Sequence, residues 1–321
     1  MNQTATANSI GQIRADVTSL DRPVKAELDE VLAQLERILM GKREQTTLAL
    51  ACLLARGHLL IEDVPGVGKT TLAQALGASL GLDWTRVQFT SDLLPADVVG
   101  VSVFNSHEQR FDFKPGPVFT AILLADEINR APPKAQSALL EAMEERQVTV
   151  DGVTYALDED FFVIATQNPT DQLGAFPLPE SQLDRFLVGM QIGYPDAATE
   201  RALLEHGDKR AEIATLRTLL DKQQLHAWRE QCDAIHIGAP VFDYIQALLL
   251  ATRNTGTGLS PRAGLSLVRL CRAYAFTQKR QHVLPDDVRH VFPALAGHRL
   301  TGHVGSGQQR ARELLQQVVM P

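Results

Sequence analysis

The chain has 321 residues, room for two domains or one large one, and its 45% hydrophobic and 21% charged content with no low-complexity tract is that of an ordinary globular protein. A net charge of −7 argues against a dedicated nucleic-acid binder, which carries a basic surplus. No run reaches the roughly 18 apolar residues of a membrane span. The polar N-terminus lacks a signal peptide's apolar core, and Cys52, Cys232 and Cys271 are too far apart for a disulfide framework or zinc site, so a reduced, cytoplasmic setting is the expectation.

Residues 1–20 are expected to be a flexible arm. Helical spacing follows in VKAELDEVLAQLERILM, with Val24, Leu28, Val31, Leu32, Leu35 and Leu39 on one side, and a second helix is expected over Lys42 to Arg56. HLLIED reads as a short buried strand and TTLAQALGASLG as a helix closed by Gly81, with a glycine-rich loop between them. Further apolar runs, TRVQFT, AILLAD and DFFVIATQ, alternate with helical segments, the layout of a mostly parallel sheet covered on both faces. Two stretches read as β-hairpins: GVSVFNSHEQRFDFKPG, with a polar tip at Asn105 to Gln109, and QVTVDGVTYAL, whose Asp151-Gly152 is a strong two-residue turn signal. Beyond Ala197 only helices are expected, ending with PDDVRHVFPALAGHRL. A boundary near Asp196 therefore divides an α/β domain, residues 21–196, from a smaller helical one, residues 197–321.

The loop Asp63, Val64, Pro65, Gly66, Val67, Gly68, Lys69, Thr70, Thr71 fits the phosphate-binding pattern G-x-x-x-x-G-K-[ST] except at its first position, where Asp63 replaces glycine. Gly66 and Gly68 let backbone N–H groups turn toward phosphate oxygens, Lys69 can reach the outer phosphates, and the Thr70 hydroxyl suits Mg²⁺. At the end of the AILLAD strand, Asp126 would hold Mg²⁺ through water and Glu127 would orient or deprotonate the attacking water. Asn168 ends the next buried strand, where it could help position that water or simply turn the chain with Pro169. Arg185 follows a short helical turn and reads as an arginine finger acting on a neighbour's γ-phosphate. Arg262 stands at a helix start, where a cation opposes the dipole, so a nucleotide phosphate is its expected partner. A surface salt bridge is the plain alternative for each arginine.

Taken in order, these elements resemble an AAA+ ATPase and, more narrowly, the MoxR family. EDVPGVGKTT, ADEINRAPPKAQSALLEAMEE, IATQNP and FPLPESQLDRF are close to that family's signature stretches, and the likeness runs from about Leu35 to Arg299. The resemblance implies an AAA+ P-loop core with a C-terminal α-helical lid, in which the first glycine of the loop is often replaced. The hairpins then correspond to the helix-2 insert and the pre-sensor hairpin. It further implies ATP and Mg²⁺ at subunit interfaces of a homo-oligomeric ring, a hexamer, with Arg262 from the same chain and Arg185 from the next. Met40-Gly41 would wrap the adenine, with Ile38 or Met40 packed on the base, and Arg130 would sense the neighbouring nucleotide. Chaperone-like remodelling with a von Willebrand factor A domain partner is the expected role. Two other readings stand beside it: a nucleic-acid motor of the helicase branch, disfavoured by the acidic balance and the scarcity of basic residues at the hairpin tips, and a nucleotide-gated scaffold with negligible turnover, disfavoured by Asp126, Glu127 and Asn168.

Overall fold

A computed structural model describes residues 22–168, 175–207, 209–254 and 258–320, so the expected N-terminal arm and Pro169 lie outside the described residues. The chain enters through α1 (Arg22–Ile38) and α2 (Arg43–Leu54), then alternates strand and helix: β1 (Leu59–Glu62), α3 (Lys69–Leu80), β2 (Trp84–Gln88) and α4 (Pro95–Val99). A hairpin of β3 (Gly100–Asn105) and β4 (Arg110–Pro115) leads to β5 (Ile122–Asp126) and α5 (Pro133–Glu145). A second hairpin, β6 (Gln147–Val150) and β7 (Val153–Ala156), precedes β8 (Phe162–Gln167), the short α6 (Glu180–Leu183) and β9 (Val188–Met190). The five core strands are all parallel and lie in the order β2-β5-β8-β1-β9.

Alternation along those strands divides the interior into two layers. Leu59, Ile61, Ile122, Leu124, Phe162 and Ile164 join the apolar layer under α1, α2 and α3. Leu60, Leu123, Ala125, Val163 and Ala165 join the layer under α4 and α5. Strands covered on both faces need apolar residues at every position, which is why they appear as unbroken apolar runs. In the second hairpin Asp151 (φ 50°) and Gly152 (φ 79°) are both left-handed, as a type I′ turn demands.

The rest of the chain is helical: α7 (Ala197–His206), α8 (Arg210–Ile213), α9 (Lys222–Ala234), α10 (Ala239–Arg253), α11 (Pro261–Thr277), α12 (Pro285–Thr301) and α13 (Val304–Gln317). Asp196 is the N-cap of α7, its Oδ1 accepting from the Thr199 N–H at 2.8 Å. The first apolar layer nonetheless continues past that point, through Trp228, Leu267, Phe276 and Phe292, so these helices share one core with α1 to α3.

Two elements depart from the sequence expectations. The edge strand β9 is only three residues long, and its Gly189 admits the His298 ring where any side chain would clash. Helix α13 begins Val304-Gly305-Ser306-Gly307, a run that signals a loop; Gly307 is there because the α12 backbone at Gly297 passes too close for a Cβ. Among the described residues no helix is long and apolar enough to cross a membrane.

Candidate active site

The phosphate-binding loop joins the C-terminal end of β1 to α3. Gly68 (φ 99°) is the N-cap of α3 and Gly66 (φ 86°) precedes it; both need the left-handed backbone that glycine tolerates best. The first N–H groups of α3 have no helical partner and are ready to meet an anion. Lys69 Nζ donates to the Asp63 carbonyl at 2.6 Å. Burial lowers its pKa, while the Asp126, Asp63 and Glu127 carboxylates oppose that shift. The side chain of Asp63 explains why glycine is absent. It is buried, one oxygen accepting from the Val64 N–H at 2.9 Å and the other from the Gly193 N–H at 2.6 Å. Asp63 therefore ties the start of the loop to the chain leaving β9.

Beside the loop lies a cleft of about 370 Å³, walled by Ile38, Leu39, Met40, Val67, Thr71 and Tyr194 and within the size range of small-molecule sites. Gly41 (φ 70°) turns the chain here, and a Cβ on it would meet Thr199 Oγ1 of α7 at 2.9 Å. The apolar residues expected around an adenine are thus assembled. Tyr194, 74% exposed, and α7 are wall elements that the sequence did not single out.

Asp126 closes β5 and Glu127 follows in a left-handed conformation (φ 56°), an uncommon state for a residue with a side chain. Asp126 Oδ1 accepts from Thr166 Oγ1 at 2.6 Å, and that hydroxyl in turn accepts from the Glu127 N–H at 2.9 Å. Asp126 Oδ2 receives the Arg86 guanidinium of β2 at 2.6 Å. Glu127 Oε2 accepts from Gln88 Nε2 at 2.8 Å and pairs with Arg130 Nε at 3.1 Å. Arg86, Gln88 and Thr166 escaped the sequence reading; alternation along β2, which puts two polar side chains on one face beside Asp126, is the signal that could have found the first two. Thr70, second residue of α3, supplies a hydroxyl and Asp126 a carboxylate, the hard oxygen donors that Mg²⁺ takes. The cation already paired with Asp126 shows that this carboxylate is placed to hold positive charge. Asn168 follows β8 and lines a neighbouring cleft with Glu62, Asn129 and His303.

The two predicted arginines are elsewhere. Arg185 Nη1 meets Glu144 Oε2 at 2.7 Å, and Arg262 Nη1 meets Glu144 Oε1 at 2.7 Å. Both line a cavity with Gly57 and His58, just before β1 begins, whereas the phosphate-binding loop follows where β1 ends. A four-residue strand spans roughly 13 Å at 3.3 Å per residue. Helix α11 places Arg262 beside Arg185, at the end of the sheet where β1 begins and about a strand's length from the phosphate-binding loop of the same chain. Glu144, missed in the sequence, ends the helix that runs back from the Asp126 edge.

Comparison with known proteins gives concordant results. A model of the ATPase family associated with various cellular activities (AAA) matches residues 58–188, and an AAA lid domain model matches residues 249–318. The chain is 44% identical to the uncharacterized protein YeaC of Bacillus subtilis, over 86% of this chain and 87% of that one. It is 37% identical to chaperone MoxR1 of Mycobacterium tuberculosis, over 85% and 75% of the two chains, and 31% identical to protein MoxR of Paracoccus denitrificans, over 86% and 88%. A crystal structure of a candidate ATPase from Cytophaga hutchinsonii superposes with a TM-score of 0.83 at 32% identity, covering 98% of this chain and 99% of that one.

Proposed function

Because the chain belongs to the MoxR family of AAA+ ATPases and hydrolyses ATP, we propose that it completes each active site between two subunits of a ring and spends the turnover on remodelling partner proteins. The observation that carries this reading is the separation of the two half-sites. The loop, Asp126 and Glu127 occupy one edge of the sheet, while Arg185 and Arg262 occupy the other, which supports their service to a second subunit's nucleotide.

ATP lies with its base in the cleft beside Met40 and its phosphates on the N–H groups of Gly66 to Thr70. Lys69 leaves the Asp63 carbonyl for the outer phosphates, and Arg86 gives up Asp126. Thr70 and Asp126 would hold Mg²⁺, which would supply neutralisation of the phosphate charge. Glu127, released from Gln88, orients or deprotonates the attacking water with help from Asn168. Arg185 and Arg262 of the neighbouring subunit turn from Glu144 toward the γ-phosphate and stabilise the charge that develops there, and Arg130 reports the neighbour's state. Turnover then shifts the α/β part against the helical part, which divide near Asp196. A hexamer is the ring we favour, and the resemblance to MoxR proteins supports a von Willebrand factor A domain partner. The chaperone MoxR1 relative supports the remodelling role.

The test is the steady-state ATPase rate per subunit against protein concentration, for the wild type and Arg185→Ala. A rate that rises with concentration and collapses in the variant is expected; a flat rate that survives Arg185→Ala removes the shared site.

A further inference from the structure

The cavity at the N-terminal edge of the sheet holds more positive charge than the two trans-acting arginines require. Six guanidiniums line it, from Arg56, Arg146, Arg185, Arg262, Arg269 and Arg299, against two carboxylates, Glu144 and Asp184. Both carboxylates are committed: Asp184 to Arg299 at 2.7 Å, and Glu144 to Arg185 and Arg262. Arg56 reaches Asp233 outside the cavity at 2.8 Å. Among the described residues Arg146 donates only to the backbone carbonyls of Glu159 and Arg56, at 3.0 and 3.2 Å. Among them Arg269, two turns along α11 from Arg262, has one hydrogen bond, of 3.2 Å to Ser266 Oγ. Among the described residues neither Arg146 nor Arg269 forms an ion pair.

Crowding of like charge without counter-charge is unfavourable, more so away from bulk water. The arginines feel it. Burial pushes the pKa of Arg146 down, and the Arg229, Arg56 and Arg269 charges push the same way against the opposing pull of Asp160; Arg269 is lowered by burial and by Arg262 and Arg56, with Asp233 opposing. With six guanidiniums and two carboxylates in its lining, the cavity favours an anion. The space, about 160 Å³, is below the roughly 300 Å³ at which small-molecule sites begin, and suits a compact ion with a few waters better than a nucleotide. Guanidinium forks match tetrahedral oxyanions in geometry and charge.

We propose that this cavity is a second phosphate site, in which inorganic phosphate is held by Arg269 and Arg56 with Arg146 behind them, in each isolated subunit. The ion joins α11 to the α2–β1 turn and to the end of α5, so its occupancy fastens the helical part to the sheet. The released product of ATP hydrolysis is an ion of this class, which gives the site a means to sense turnover. The site does not depend on the shared active site: Arg185 and Arg262 are not needed to hold the ion.

The experiment is thermal unfolding of the full chain, without nucleotide, as phosphate is added to a buffer free of other oxyanions, with sodium chloride at matched ionic strength as the control. Lys69→Ala silences the phosphate-binding loop, which would otherwise take up the ion. A saturable rise of about 2–4 °C is expected to persist in Lys69→Ala and to vanish when Arg269→Ala is added. Arg56→Gln, at an exposed position, should weaken it severalfold and covers the case in which Arg269→Ala unfolds. Arg185→Ala should leave the phosphate effect in place even where it abolishes turnover. A rise no larger than that of chloride, or one lost with Lys69→Ala alone, overturns the second site.

Discussion

The sharpest consequence of the geometry concerns which chain supplies Arg262. If it acts on a neighbour's nucleotide, a subunit lacking Arg262 still owns a working phosphate-binding loop, and a subunit lacking Lys69 still owns working arginines. Each variant alone should be nearly inactive, because Lys69→Ala removes phosphate contact and Arg262→Ala removes a charge that stabilises the transition state, about a 10²–10³-fold loss, or roughly 3–4 kcal/mol. Neither substitution should unfold the chain. The Arg262–Glu144 pair is more than half exposed on the arginine side, so it contributes on the order of 0.2–1 kcal/mol or less.

Mixed at equal amounts, the two variants should rescue one another. With random assembly, an interface works when its loop comes from Arg262→Ala and its arginines from Lys69→Ala, which occurs with a chance of one half times one half. About a quarter of the wild-type rate per interface should therefore appear on mixing. The assay is phosphate release from subunits mixed before assembly, with wild-type and single-variant controls at the same total concentration. A same-chain Arg262 makes the opposite forecast: every intact loop in the mixture lacks its own Arg262, and no rescue occurs. A mixture no faster than the mean of its components would refute the trans assignment, whatever the structure of the free subunit.

Three further outcomes follow from named contacts. Asp63→Gly, which restores the usual loop pattern, should destabilise the protein by about 2 kcal/mol, because it removes a carboxylate that accepts two backbone N–H groups; a melting temperature that stays level or rises in calorimetry would show that the tie to Gly193 does not matter. Arg86→Ala should lower the Mg²⁺ concentration needed for half-maximal binding of a fluorescent ATP analogue by about two- to fivefold, since Arg86 competes for Asp126 across a partly exposed pair; a higher Mg²⁺ requirement would mean that Arg86 assists the site. His58, at the start of β1, is a neutral ring by geometry: Nδ1 accepts from the Val163 N–H at 3.0 Å and Nε2 faces the Met143 carbonyl at 3.2 Å. Burial first, then the Arg146 charge, lowers its pKa to about 3. Below about pH 6.5 the unfolded chain takes up a proton that the folded chain refuses, so stability falls as pH drops, by roughly 2 kcal/mol between pH 7 and 5, and the contribution is fully lost near pH 3. Denaturant unfolding of His58→Gln should show a flatter profile between pH 7 and 5; an unchanged slope would assign the acid sensitivity to other groups.

Legibility in the sequence followed how local the determining physics is. β1, β5 and β8 are visible because both faces are buried and each position must be apolar, and the Asp151-Gly152 turn is visible because two left-handed residues leave few choices. Helix α13 is invisible for the opposite reason: Gly307 answers to the backbone at Gly297 in another helix, a contact that no window along the chain contains. The same division runs through the active site. Gly66, Gly68, Lys69 and Thr70 make one contiguous loop and can be read off directly. Arg86 and Thr166 act on Asp126 only because β2 and β8 flank β5 in the sheet. Arg262 stands out in the sequence by its place at a helix start, yet its side of the molecule depends on where α11 docks, which is a property of the shared core.

In the free subunit, the groups of the two half-sites are held by partners within the chain. Lys69 is on the Asp63 carbonyl, Asp126 on Arg86, Glu127 on Gln88 and Arg130, and Arg185 and Arg262 on Glu144. Each pair lies in a partly exposed cleft, where an ion pair is worth little and exchanges readily. Binding ATP and a neighbour is then a series of partner exchanges, guanidinium for phosphate and ammonium for phosphate, with little bare desolvation at any stage. On the proposed shared site such an arrangement would keep an isolated subunit slow, because the arginines at one edge are held by a carboxylate of the same edge and Glu127 is held by its own sheet. If the site is shared as proposed, the switch is cooperative by construction: the helix α5 whose Glu144 holds Arg185 and Arg262 begins about two turns of chain after Glu127, at Pro133.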